Sequence, residues 1–255
     1  MTPGILHPEP RRRGGVRALT MRPRLLALAA LAAAAGPAVA LRPAPLAAQV
    51  ATVDEGSFTI TRRGERVGRE EFTIRRTPGA QGQPVFVSSA TVAMGEQRLA
   101  PALRSDSLGA PLAYALEVRA GAAMQEQLKG AVGRGRFSTV TRTPRGESAR
   151  EFMIADGALV IDDGIFHQYY FVTRSSAARE LPVVVPRRNA QLLLQVADGG
   201  AETLTIGGRP IEARRWTLRE PGGAVRQLWA DARGRVLKVE LPGEGVVALR
   251  DDPPR

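Results

Sequence analysis

The stretch GGRPIEARRWTLREPGGAVRQLWADARGRVLKVELPGEGVVALR, Gly207–Arg250, decides the fold. Leu237, Val239 and Leu241 stand against Val236, Lys238 and Glu240, a period of two that marks half-buried strands. Turn residues punctuate it at short intervals: Gly207-Gly208, Pro221-Gly222-Gly223, Arg233-Gly234 and Gly243–Gly245. Gly-Gly suits a primed hairpin turn, which needs φ > 0 at its centre. With the segment from Gln191, where Leu192, Leu194 and Val196 alternate, and Leu204 and Ile206 after them, the C-terminal part reads as a five-strand meander.

The same pattern extends toward the N-terminus. Phe72 and Ile74 alternate with Glu71, Thr73 and Arg75, and Leu112, Tyr114, Leu116 and Val118 alternate with Ala113, Ala115, Glu117 and Arg119. One apolar face and one mixed face predict antiparallel rather than parallel sheet. Turns are expected at Gly64-Glu65, at Ser107–Pro111 and between Gly133 and Gly135. One region departs from alternation: DDGIFHQYYFVTRSSAARE, residues 162–180. Asp162 or Asp163 can cap a helix there by accepting a free backbone N–H. Ile165–Arg179 would then supply about four turns, bounded by Pro182 and Pro186. An open sheet of so many strands must curl, split or wrap around something. The fold expected is mostly β: a strongly curved antiparallel half-barrel wrapping one central helix. No internal repeat or low-complexity linker divides residues 50–255, so they are expected to form a single β-rich domain.

Residues 1–49 read differently. MRPRLLALAALAAAAGPAVA, residues 21–40, has an Arg-bearing start, an apolar run from Leu25 to Ala35, a break at Gly36-Pro37 and a small-x-small site at Ala38–Ala40. That is the pattern of a cleaved secretory signal peptide, with Met21 a plausible start and Pro43–Ala48 a spacer. The chain is therefore expected to be exported, to the periplasm or beyond. No later segment is long and apolar enough to span a membrane as a helix. The 255 residues carry 36 Lys and Arg against 25 Asp and Glu. Seven of the Arg and one acid, Glu9, lie in 1–49, so the remainder carries only about +5 with signs interspersed, a solvated surface rather than a nucleic-acid site. The absence of cysteine removes disulfides, thiolate nucleophiles, iron–sulfur clusters and an acylated lipoprotein anchor.

Within the C-terminal run, GGRPIEARRWTLRE (Gly207–Glu220) followed by WADARGRVLKVELP (Trp229–Pro242) resembles secreted bacterial domains of unknown function whose half-barrel is like that of the lipoprotein carrier LolA. Those domains pair a "G-x-x-I-x-A-x-x-W" strand with a "W-x-D-x-x-G-R-x-L-x-V-E-x-P" hairpin. Ser105–Tyr114 resembles their "D-x-x-G-x-P-x-x-Y" hairpin. The matched stretches cover about a fifth of the mature chain. The resemblance implies a highly curved sheet around a helix, an envelope location, and a hollow that takes a lipid or another apolar ligand. It implies no catalytic residues.

The chain carries little recognisable catalytic chemistry. His167, the sole histidine after the leader, lies near Asp163, Ser175 and Ser176, but no G-x-S-x-G elbow surrounds either serine. A hydrogen-bonded or solvated helix histidine is the plainer reading. One histidine and no cysteine make a zinc site improbable, and Asp162-Asp163 lacks the alternating acids of a calcium loop. Gly133-Arg134-Gly135-Arg136 lacks the Gly-Lys-Ser/Thr of a phosphate loop and reads as a hairpin turn. Asp231 reads as a turn residue rather than one of a catalytic carboxylate pair with Glu240. No catalytic residue, metal or cofactor is assigned. The large aromatics Tyr114, Phe166, Tyr169, Tyr170, Trp216 and Trp229 are core candidates first, and the walls of any ligand pocket second. Two alternatives to ligand carriage stand: a structural or adaptor protein of the envelope with a packed core and a protein partner, and a hydrolase with an unrecognised site.

Overall fold

Strand pairing takes up nearly all of the chain that the alternation marked. The computed structural model describes residues 50–175 and 179–255; the leader and Ser176 lie outside the described residues. Eight strands come first: β1 (Ala51–Arg62), β2 (Glu65–Pro78), β3 (Pro84–Met94), β4 (Gln97–Ser105), β5 (Pro111–Ala120), β6 (Ala123–Gly133), β7 (Arg136–Thr143) and β8 (Gly146–Met153). A two-residue strand β9 (Leu159–Val160) precedes a 3₁₀ turn (His167–Tyr169) and the short helix α1 (Tyr170–Ser175). The rest is β10 (Glu180–Val185), β11 (Ala190–Ile206), β12 (Arg209–Arg219), β13 (Val225–Ala230), β14 (Val236–Leu241) and β15 (Val246–Arg250). The five-strand meander expected from Gln191 onward is present as β11–β15.

All fifteen strands form one sheet in the order β8-β7-β6-β5-β4-β3-β2-β1-β15-β14-β13-β12-β11-β10-β9. Every neighbour pair is antiparallel except β9 and β10. From β1 in mid-sheet the strands meander out to β8; the crossing segment after Met153 leads to β9 at the far end and on to β10, and β10–β15 meander back until β15 pairs with β1. The crossing segment carries α1. Its apolar side chains pack on one face of the sheet, the inner face.

The core between the crossing segment and that face holds all seven Phe and all three Tyr of the chain, among a larger number of Leu, Val and Ile. Phe58 stacks on Phe72 with ring centres 5.1 Å apart, and Phe86 meets Phe171 edge-on at 6.3 Å. Offset and edge-on pairs are the favourable arrangements of aromatic quadrupoles. Gly109, in the turn before β5, has φ +99°, and a Cβ there would lie 2.8 Å from that of Phe171, so the turn needs glycine on both counts. The β1–β15 seam is fastened by Arg250, whose guanidinium makes a two-pronged pair with Asp54 at 2.8 and 3.0 Å and lies 5.3 Å from the Phe72 ring centre.

Three β-bulges move residues off the faces that simple alternation gives them. Ala113 pairs with Arg104 and Pro111 with Ser105, so Leu112 is the extra residue and is more than a third exposed. Trp229 pairs with Lys238 and Ala230 with Val236, so Leu237 is extra and leaves the row of Val239. In β11 the register shifts between Asp198 and Gly200, so that Leu204 and Ile206 face opposite to Leu192, Leu194 and Val196. Leu204, Ile206, Ile211, Ala213, Trp229 and Leu237 form a second, smaller apolar cluster apart from the main core.

The helix is shorter than Ile165–Arg179. Gly164 sits at φ +75°, outside helical space, and the regular turn begins only at His167. Neither aspartate supplies the expected cap. The Asp162 carboxylate accepts the N–H of Asp163 at 3.0 Å, and the N–H groups at the helix start are met from β2.

Candidate functional site

The seam between the crossing segment and the inner face concentrates the buried polar chemistry. Glu70 lies in β2 on the same side as Phe72 and Ile74, so its carboxylate points into the core, where it has no exposed surface. It accepts three hydrogen bonds there. The N–H of Phe166 donates at 2.7 Å, the N–H of His167 at 2.9 Å, and the His167 ring Nδ1–H at 2.5 Å. The first groups of a helix have no partner within it. Glu70 supplies that partner across 97 residues of chain, and its negative charge suits the helix start. The His167 ring stacks on Phe72 with centres 5.9 Å apart. The histidine is thus hydrogen-bonded and buried rather than solvated. Asp163 does not touch its ring, and the Ser175 hydroxyl is turned to the Leu108 carbonyl at 3.2 Å.

A second anchor lies three strands along the sheet. The Tyr114 hydroxyl, from β5, donates to the Asp162 carboxylate at 3.0 Å, and the Gln168 side-chain oxygen accepts the Asp162 N–H at 2.7 Å. Burial pushes the Asp162 carboxyl up to about 6, against the pull of the nearby Arg187 charge and the Tyr114 bond. Burial and the Asp162 charge push the Tyr114 phenol well above its usual value. Burial alone is the main cause lifting Tyr169 to about 12.

The six aromatics singled out from sequence do not share one wall. Tyr114, Phe166, Tyr169, Tyr170 and Trp216 enter the main core. Tyr170 leans on Phe86, ring centres 6.2 Å apart, and its hydroxyl accepts a bond from Arg174 at 3.2 Å. Trp229 lies on the opposite face. Trp216 pairs with Leu228, so the next residue, Trp229, must project the other way. Its indole N–H donates to Glu202 at 2.9 Å, and the Lys238 ammonium lies 4.3 Å from the ring centre.

Of the five inner aromatics, Trp216 borders the larger opening. A cleft of about 530 Å³ beside the end of α1 is walled by Thr173, Asp198, Glu212, Arg214, Trp216 and Asp231. Arg214 crosses its mouth, donating from Nε to Asp198 at 3.1 Å with its guanidinium carbon 6.0 Å from the centre of the Trp216 ring. The space under Phe166 and Tyr169 is only about 30 Å³, room for about one water. Asp231 holds its turn, its carboxylate accepting the N–H groups of Arg233 and Arg235 at 2.9 Å. Gly133–Arg136 is a hairpin turn between β6 and β7. Among the described residues no three His, Asp or Glu are grouped to hold a metal ion, and no helix is long and apolar enough to cross a membrane.

No family model matches this chain, and neither a curated protein nor a solved structure matches it.

Proposed function

We propose that this is an exported, non-enzymatic protein of the bacterial envelope. Its sheet bends into a half-barrel around the crossing segment, and it holds an apolar ligand such as a lipid chain against the inner face. Chain length supports the bend. Fourteen gaps separate the end strands β8 and β9, about 67 Å in a flat sheet at about 4.8 Å per gap. Met153 ends β8 and Leu159 opens β9, and the link between them reaches at most about 23 Å. A link this short favours a sheet whose two ends approach each other. Export rests on the Arg-start, apolar run and Ala-x-Ala site of residues 21–40.

The ligand reading rests on the Trp216 cleft. Its volume falls within the range of about 300–1,000 Å³ usual for small-molecule sites. It joins an indole face to charged groups at the mouth, which suits an amphiphile with its apolar end inward. The test is extraction of the purified protein followed by mass spectrometry, with titration of a fluorescent fatty acid against the native chain and Trp216→Ala. Co-purifying lipid, and binding weakened at least tenfold in the variant, is expected. A chain that carries no lipid and binds no probe overturns the reading. The packing of Phe166, Tyr169 and Tyr170 favours a second reading, an envelope adaptor with a filled core. It predicts tryptophan emission indifferent to lipid, and recovery of one defined partner by crosslinking.

A further inference from the structure

We propose that β8 is a self-pairing edge through which two copies of the chain join their sheets antiparallel about a twofold axis at Ser148. The two ends of the sheet differ. β9 has two residues, both fully buried, and offers no edge to another chain. β8 has eight residues, and all but Phe152 are exposed. The Ile154 N–H donates to the Gly135 carbonyl, and in an antiparallel pair alternate residues bond to the same neighbour. Phe152, Arg150 and Ser148 therefore bond back to β7. Glu147, Ala149, Glu151 and Met153 turn their N–H and C=O groups to the open side, where no strand among the described residues pairs with them. An unpaired edge of this length is a template for another strand.

The charges along the edge select the occupant and the register. A twofold axis normal to the sheet sets residues of like parity opposite each other. Centring it on Ala149 places Glu147 opposite Glu151 twice. Centring it on Arg150 sets that arginine against its own copy, and centring it on Glu151 does the same for the glutamate. Like charges directly opposite are destabilising. Centring on Ser148 avoids all three: Glu147 faces Ala149, Arg150 faces Gly146, and Arg145 in the turn comes opposite Glu151 of the second copy, once on each side of the axis. Glu147 and Glu151 are already partly neutralised within the sheet by Arg142 at 2.5 Å and Arg136 at 2.8 Å. Ser148 falls at a position without mutual hydrogen bonds, where cross-strand side chains approach most closely.

The chain has no cysteine, so one introduced thiol reports the register directly. Ser148→Cys, Ala149→Cys and Arg150→Cys, each in the full chain, are oxidised and run on a non-reducing gel. A disulfide-linked dimer from Ser148→Cys alone is expected, with doubled mass for the native chain in sedimentation equilibrium. Ala149→Pro removes an outward N–H and no bond to β7, and is expected to return the protein to monomer with unchanged circular dichroism. A native chain that sediments as a monomer at all concentrations, or crosslinks chiefly from 149 or 150, overturns the proposal.

Discussion

Replacing Glu70 by alanine should cost far more stability than the same change at Glu71, its exposed neighbour on β2. The carboxylate has no solvent contact and satisfies two backbone N–H groups and one imidazole N–H. Each buried donor left without a partner costs about 1–3 kcal/mol. Three of them give roughly 3–9 kcal/mol, reduced because the variant no longer buries a charge. A net loss of about 3–5 kcal/mol is expected, a large part of the roughly 5–15 kcal/mol typical of a folded domain. The assay is urea unfolding followed by far-ultraviolet circular dichroism, with exposed Glu71→Ala as the control. Glu70→Gln keeps the shape but turns an amide donor toward other donors, so it should fall between the two. The cause can be separated from mere loss of volume by a double-mutant cycle with His167→Ala. The double variant should lose less than the sum of the two single losses, by more than about 0.5 kcal/mol. If Glu70→Ala loses no more than Glu71→Ala, the capping role is wrong, whatever the distances.

Asp162 gives a pH dependence with a definite sign. Its folded pKa of about 6 lies above the ordinary 3.8, so the folded state holds the proton more tightly. Its contribution is fully present below about 4 and is lost as pH rises through 6. The gap between those two values corresponds to about 3 kcal/mol at most. Asp162→Asn should remove that part of the slope, seen as a smaller difference between urea midpoints at pH 5 and pH 7 than in the native chain. Arg250→Met should cost about 3–5 kcal/mol by leaving Asp54 buried and unpaired, and adding Asp54→Leu should recover most of it; a double variant no better than the single one contradicts this. Arg214→Ala should uncover the Trp216 ring, raising acrylamide quenching of tryptophan fluorescence with thermal unfolding nearly unchanged; unchanged quenching would mean that the guanidinium does not shield the ring.

Much of the sheet could be read from local pattern because strands, turns and hairpins are local devices. Gly207-Gly208 has both residues at positive φ, as the turn chemistry required. Asp231 binds the two N–H groups of its own turn, a contact reaching four residues. The misplaced side chains share one cause. Leu112, Leu237, Leu204 and Ile206 each follow or occupy a bulge, and one extra residue inverts everything beyond it until another compensates. Nothing in a run such as LQVADGGAETLTI (Leu194–Ile206) marks which residue is extra, although Gly199-Gly200 in a strand is a usual place for one. Trp229 falls on the other wall for a simpler reason. The pairing of Trp216 with Leu228 has to be known before either tryptophan can be placed.

Glu70 is the instructive omission, because its parity was visible. Counting back from Phe72 and Ile74 puts a carboxylate in the inward row of β2, at 70, whereas Glu71 falls outward. A strand residue with an uncompensated charge facing a core must either disrupt the sheet or meet donors supplied by something else. The sequence offers few such sources. A helix start is one, since its first N–H groups are orphaned and its dipole favours an anion, and the single helical region begins near His167. An inward acid on one strand and an uncapped helix start elsewhere are thus two halves of one requirement, and each is incomplete without the other. Pairing them would have placed the crossing segment against β2 from sequence alone. It would also have moved the cap from Asp162 to Glu70 and left Asp162 free for Tyr114, as the structure has it.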